Sequence, residues 1–241
     1  MSTAPVRNLE QLLARKGELA THGAETPELA SRLRELRSGQ SARLARTYAD
    51  LHQDPRFARG VDFFLSDLYG AQDFTSRDRD LMRAWRYLKH SLPATALEAL
   101  GRAIELEVLS AELDHAMVAA LPPGELDEAK YAQAYRAVGR RDARQRQIDL
   151  VIGAGEDLER TVQRAWLGAM LRAARRPAHA AGFGVLQDFL ERGYDSFKTM
   201  GSAQRLLEAV RERETRIMEA LLAGSDAPFA LPDTNGRGAR E

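Results

Sequence analysis

The chain has 241 residues, 44 % of them hydrophobic and 29 % charged, which is enough apolar material for a large helical core and too much for a disordered chain. Lys plus Arg and Asp plus Glu both number 35, so the net charge is zero and generic, charge-driven nucleic-acid binding is disfavoured. Cysteine is absent, which excludes disulfides, thiol catalysis and thiolate metal sites and fits a reducing cytoplasm.

From the N-terminus, Leu9, Leu12, Leu13 and Leu19 predict a short amphipathic helix, followed by a loop at residues 22–25. Glu10, Gln11, Arg15, Lys16 and Glu18 interrupt what would be the apolar stretch of a signal peptide. Thr26 before Pro27 predicts a capped helix start. Leu29, Leu33, Leu36, Gln40, Leu44, Tyr48 and Leu51 then keep helical phase across Gly39, predicting one long helix to about Gln53. Asp54 and Pro55 predict the next start. That helix carries Phe57, Val61, Phe64, Leu65 and Leu68 on one face and stops at Gly70. Phe63 and Tyr69 fall off this stripe, so the helix is expected to lie between neighbours.

Thr75 with Asp78 reads as a variant capping box, and Leu81, Trp85, Leu88 and Leu92 form a stripe up to Pro93. Residues 94–121 predict the longest helix, roughly 40 Å at 1.5 Å per residue. It is apolar on two sides, with Leu97, Leu100, Ile104 and Val108 on one and Leu106, Leu109, Leu113 and Met117 on the other. A helix of that kind is buried between layers, so it is expected at the centre. Pro122-Pro123-Gly124 predicts a tight turn, and a polar helix over 126–138 follows. Gly139 and a basic run lead into Ile148-Asp149-Leu150-Val151-Ile152, Gly153-Ala154-Gly155 marks a kink or short loop, and Leu158, Val162, Trp166, Ala169 and Ala173 continue a helix to Arg176-Pro177. Gly182, Leu186, Phe189, Leu190, Gly193 and Phe197 mark another, ending near Gly201. Ser202 caps the last, in which Leu206, Val210, Ile217 and Leu221 face in, Glu212 and Arg216 are spaced to pair, and Gly224 closes. The expected fold is all-α, a single bundle of about eight or nine helices over residues 1–224 around the central helix, with a disordered tail at 225–241. No apolar run approaches the roughly 18 residues of a membrane span, and no strand alternation or fixed repeat is present.

Phe63, Phe64, Leu65, Asp67, Leu68, Tyr69 and Gly70 resemble the signature of a family of uncharacterised bacterial proteins named for an FFLEELY motif. Ser66 stands where the motif has an acidic residue. Asp73-Phe74-Thr75-Ser76-Arg77-Asp78 also fits that family's pattern, and the resemblance runs over about residues 27–224. The family carries no assigned activity or catalytic residues, so the resemblance implies no role for any residue here.

Five constellations are candidates for chemistry. Glu112 and His115 form an E-x-x-H pair, with Glu105 two turns earlier. Carboxylate-bridged di-metal bundles present ligands at this spacing, yet they need a second E-x-x-H, and no other histidine here has a glutamate three residues before it. Packed structural residues are the simpler reading. The arginines from Arg136 to Arg146, with Arg172, Arg175 and Arg176, are candidates for a basic surface, or for solvated faces and helix-end partners. Gly153-x-Gly155 lacks the third glycine and the Lys-Ser/Thr of a phosphate loop, and close helix packing suits it better. His90 sits near Trp85 and Tyr87 without a triad partner. Phe63, Phe64 and Tyr69 are candidate binding aromatics, with a core-anchor role as the plainer reading.

No coherent catalytic constellation emerges, and no cofactor is called for. The leading expectation is a non-enzymatic, cytoplasmic interaction or scaffold protein that binds a protein partner or itself. A ferritin-like metal-dependent oxidoreductase using Glu105, Glu112 and His115 is the alternative, and a nucleic-acid-binding module on the arginine face the third.

Overall fold

The computed structural model describes the backbone of residues 4–68, 75–88 and 94–231. Among the described residues there are eleven α-helices and no strand. They are α1 (Ala4–Gly23), α2 (Pro27–Thr47), α3 (Ala49–His52), α4 (Ala58–Phe63), α5 (Thr75–Leu88), α6 (Ala94–Ala120), α7 (Glu128–Val138), α8 (Arg141–Val162), α9 (Ala165–Ala180), α10 (Gly184–Met200) and α11 (Gln204–Ala223). A π turn, Phe64–Leu68, continues α4. The count exceeds the expected eight or nine because two predicted helices are each broken once.

α6 is the central helix and packs against α1, α2, α7 and α8. Its two apolar sides enter two different cores. Leu97, Ile104 and Val108 join Leu9, Leu13, Leu19 and Trp85. Leu106 and Met117 join the larger cluster that contains Leu36, Tyr48, Leu150, Met200, Val210 and Leu221. Each such side chain fully removed from water contributes about 1.5–3 kcal/mol, so the double-sided pattern of α6 ties both cores to one element.

α2 starts as the sequence predicts. The Leu29 N–H donates to Thr26 Oγ1 at 3.1 Å, with Pro27 in the first turn. The helix passes through Gly39, but it breaks at Tyr48, which has φ −112° and ψ 17°. The break lets the Tyr48 hydroxyl donate to Glu214 Oε1 at 2.9 Å. Arg43 Nη1 stands 2.6 and 2.8 Å from the two oxygens of the same carboxylate. Burial and the Glu214 charge together push the Tyr48 phenol well above its ordinary range. Removing one partner of such a sheltered pair costs about 3–5 kcal/mol.

Other boundaries also differ from expectation. α4 begins at Ala58 rather than after Asp54, whose Oδ1 instead accepts from the Arg56 N–H at 3.0 Å within a turn. α1 runs on through His22 and Gly23. α8 passes straight through Gly153 and Gly155. A Cβ at 155 would stand 2.5 Å from Leu207 Cδ2, so this glycine permits close approach of α11. Arg216 donates to the Ala230 carbonyl instead of pairing with Glu212. Beyond Gly224 the chain turns back, and Phe229 packs 6.0 Å from the Tyr131 ring.

The helix expected to continue through Leu158, Val162 and Trp166 to Arg176-Pro177 is two helices. Arg164 is extended, with φ −73° and ψ 113°, and separates α8 from α9. Val162 is fully buried, whereas Trp166, which sequence phase placed on the same stripe, is 57 % exposed. The break re-aims the chain. α9 then continues through Pro177 to Ala180, where a missing N–H on the solvent side leaves a carbonyl that water can satisfy.

Candidate functional site

The aromatic run does structural work. Phe63 is buried, 5.4 Å from the Phe189 ring centroid, and a Cβ at Gly193 would stand 3.0 Å from Phe63 Cζ. Phe64 is half-buried and edge-on to Tyr48 at 6.3 Å. The two rings therefore clamp α4 and its π turn between α10 and the end of α2. Tyr69 lies outside the described residues, as do His90 and the segment 70–74.

Glu105, Glu112 and His115 lie along α6 but take different partners. Glu105 accepts from Arg146 Nε and Nη2 at 2.9 and 3.0 Å, toward α8. Glu112 accepts from Arg15 Nε at 3.0 Å, toward α1. His115 stacks on His22, with ring centroids 5.1 Å apart. Among the described residues no group of three His, Asp or Glu stands where it can hold a metal ion. The helical spacing was right, but arginines from neighbouring helices occupy the carboxylates.

The His22–His115 stack borders an open recess of about 420 Å³, lined by Arg15, Leu19, His22, Glu112, His115 and Arg140. Burial, then the nearby His22, hold the His115 imidazole below its ordinary value of 6.5. Arg140 reaches this recess from a left-handed backbone position, φ 55°, just before α8. His22 Nδ1 faces Glu25 Oε2 at 2.9 Å.

The arginines of the 136–146 run are dispersed. Arg144 is buried with its guanidinium 3.4 Å from the centroid of the Tyr135 ring, and it donates to the Gly139 carbonyl at 2.8 Å. Arg141 pairs with Glu219 and Arg146 with Glu105.

Arg172, Arg175 and Arg176 are candidates from the sequence, but the apolar stripe beside them on the outer side of α9 is not. Gly168 and Leu171 are buried, and Arg175 and His179 reach across to Glu191 and Asp188 of α10 at 2.8 and 2.9 Å. Gly168 is glycine because the Tyr194 hydroxyl would stand 2.4 Å from its Cβ. At about 100° per residue, Trp166, Met170, Ala173 and Pro177 fall on the side opposite this inner stripe. All four are exposed, Trp166 at 57 % and Met170 at 48 %. Arg172 and Arg176 flank them on one side, and with Arg164 they form no ion pair among the described residues. A signal was available in the sequence: between Glu159 and Asp188 the chain has five arginines and no carboxylate.

Among the described residues no helix is long and apolar enough to cross a membrane. No curated protein and no solved structure matches the chain. A family match runs from the end of α1 to just past α11, and by it the chain belongs to the family described as Domain of unknown function (DUF8198), over residues 19–228.

Proposed function

We propose that the protein is a non-enzymatic interaction or scaffold protein of the cytoplasm, and that it docks a protein partner on the outer side of α9. The observation that supports this is Trp166. A tryptophan left 57 % exposed on an ordered helix, one turn from an exposed Met170, is unusual on an inert surface. Tryptophan at the centre of a rigid patch is the residue type most often found as a binding anchor. Burying Trp166 and Met170 in an interface contributes about 1.5–3 kcal/mol each. The aromatic run at 63–70 supports placing the chain among bacterial FFLEELY-motif proteins. The absence of cysteine is consistent with a reducing compartment.

The test is cross-linking in the native host with wild type and with the double variant Trp166→Glu/Met170→Glu. Both positions face solvent, so the variant keeps the wild-type thermal midpoint. The expected result is a discrete set of cross-linked proteins that falls by about tenfold or more in the variant. Identical sets from both proteins, or none from either, would remove this reading.

A further inference from the structure

We infer that the occupant of the α9 face is an amphipathic helix of a partner protein whose apolar stripe is flanked by Asp and Glu. This rests on the docking surface proposed above and adds the chemistry of its partner.

Three features carry it. The first is shape. Trp166, Met170, Ala173 and Pro177 recur at steps of four, three and four along one side of a sixteen-residue helix. That is the geometry a second helix meets with its own i, i+3, i+7 residues. Ala173 sits between the larger side chains and lets a partner backbone or a bulky residue come close. The opposite side of α9 is already occupied by α10, through Gly168, Leu171, Arg175 and His179. The stripe is therefore an additional face that the bundle itself does not use.

The second feature is charge. The molecule is neutral overall, yet its charges are segregated here, with no carboxylate between Glu159 and Asp188. Arg160 is held by Asp157 and Arg175 by Glu191, whereas Arg164, Arg172 and Arg176 form no ion pair among the described residues. Arg172 and Arg176 lie one turn apart on the same edge of the apolar stripe, about 100° around the helix from its centre. Carboxylates spaced one turn apart on a partner helix meet both, and the guanidinium forks donate to them bidentately.

The third feature disfavours the simplest competitor, an antiparallel pair of two copies. A second copy docked stripe to stripe in an antiparallel two-fold pair sets Arg172 and Arg176 of one copy near those of the other. α9 offers no carboxylate to offset that repulsion.

The test uses purified full-length protein and synthetic helical peptides of about 20 residues. One peptide carries Leu and Phe at i, i+3 and i+7 with Glu on the flanks. The second has the same apolar face with Lys on the flanks. The readout is tryptophan emission. The chain has two tryptophans, and Trp85 is already buried, so a blue shift on binding reports Trp166. The expected result is a blue shift with the acidic peptide at an affinity at least about tenfold above the basic one. Raising salt from about 50 to about 300 mM weakens it severalfold. Arg172→Glu/Arg176→Glu reverses the preference between the two peptides, which a variant that merely misfolds cannot do.

Equal binding of both peptides would overturn the acidic-helix inference and leave the docking reading standing. So would concentration-dependent self-association that Trp166→Glu abolishes, because the occupant would then be a second copy. A blue shift with phosphatidylglycerol vesicles and with neither peptide would make the face a membrane-binding surface, overturning both. No shift with any of these, and no self-association, overturns the inference, and the cross-linking comparison then decides the docking reading separately.

Discussion

His115 shows at the scale of one residue how the bundle changes a side chain's chemistry. Its spacing from Glu112 suggested a ligand, but in the fold it is stacked on His22 and partly withdrawn from water. Both effects, burial first and the His22 charge second, disfavour the imidazolium and lower its affinity for a proton. Arg37 acts in the same direction, while Asp114 and a backbone hydrogen bond to Leu19 oppose it. The unfolded chain therefore takes up this proton more readily than the folded one. The stabilisation from a neutral His115 is fully present above 6.5 and is lost as pH falls toward and through the lowered folded value. We expect the urea midpoint of wild type to fall between about pH 7.5 and about pH 5.5, and that of His115→Gln to fall less. Parallel losses in the two proteins would mean that other groups carry the acid sensitivity. The candidate site was half legible at this scale. The sequence places Glu105, Glu112 and His115 along one helix, but it cannot show that Arg146 and Arg15 arrive from other helices to take the two carboxylates.

At the scale of elements, α1 is the clearest case of an amphipathic helix defined by what it covers. Leu9, Leu13 and Leu19 are all buried against Leu97, Ile104 and Val108 of α6 and Trp85 of α5. Most of α1 precedes residue 19, where the family match begins. Deleting residues 1–18 removes two of those leucines and opens one side of α6, a loss of about 3–6 kcal/mol from side-chain burial alone. We expect a thermal midpoint at least about 10 °C lower and new binding of an apolar dye, measured by scanning fluorimetry and by titration. A truncated protein with the wild-type midpoint would show that α1 is an appendage. The same scale explains the missed surface. Trp166 continues the apolar phase of Leu158 and Val162, and periodicity alone puts it inside. One extended residue, Arg164, resets the phase, and no Gly or Pro at that position announces it.

For the molecule as a whole, the ion pairs knit elements distant in sequence. Arg213 meets Asp50 at 2.7 Å, Arg43 meets Glu214, and Arg102 meets Asp157. Two further pairs, Arg146 with Glu105 and Arg15 with Glu112, occupy the carboxylates of the metal alternative. Protein purified without chelator is therefore expected to carry metal well below one equivalent by mass spectrometry, and chelator is expected to leave its thermal midpoint unchanged. Stoichiometric iron, manganese or zinc that disappears in His115→Ala would reverse this and restore the oxidoreductase alternative.

The sequence by itself determined that the fold is all-α and that a long helix from Ala94, apolar on two sides, lies at its centre between layers. Those properties follow from local periodicity, from caps such as Thr26 and from stops such as Gly224, and local physics is written in neighbouring residues. Only the tertiary structure decided where long helices break, which partner each charge takes, and which apolar residues stay outside. Tyr48 interrupts α2 in reach of Glu214, which lies far along the chain, and Gly155 is needed because α11 comes close. Whether Trp166 is core or surface depends on one backbone torsion at Arg164 and on α10 having taken the other side of α9. Such outcomes depend on contacts between distant segments, to which no pattern of 3.6 residues refers.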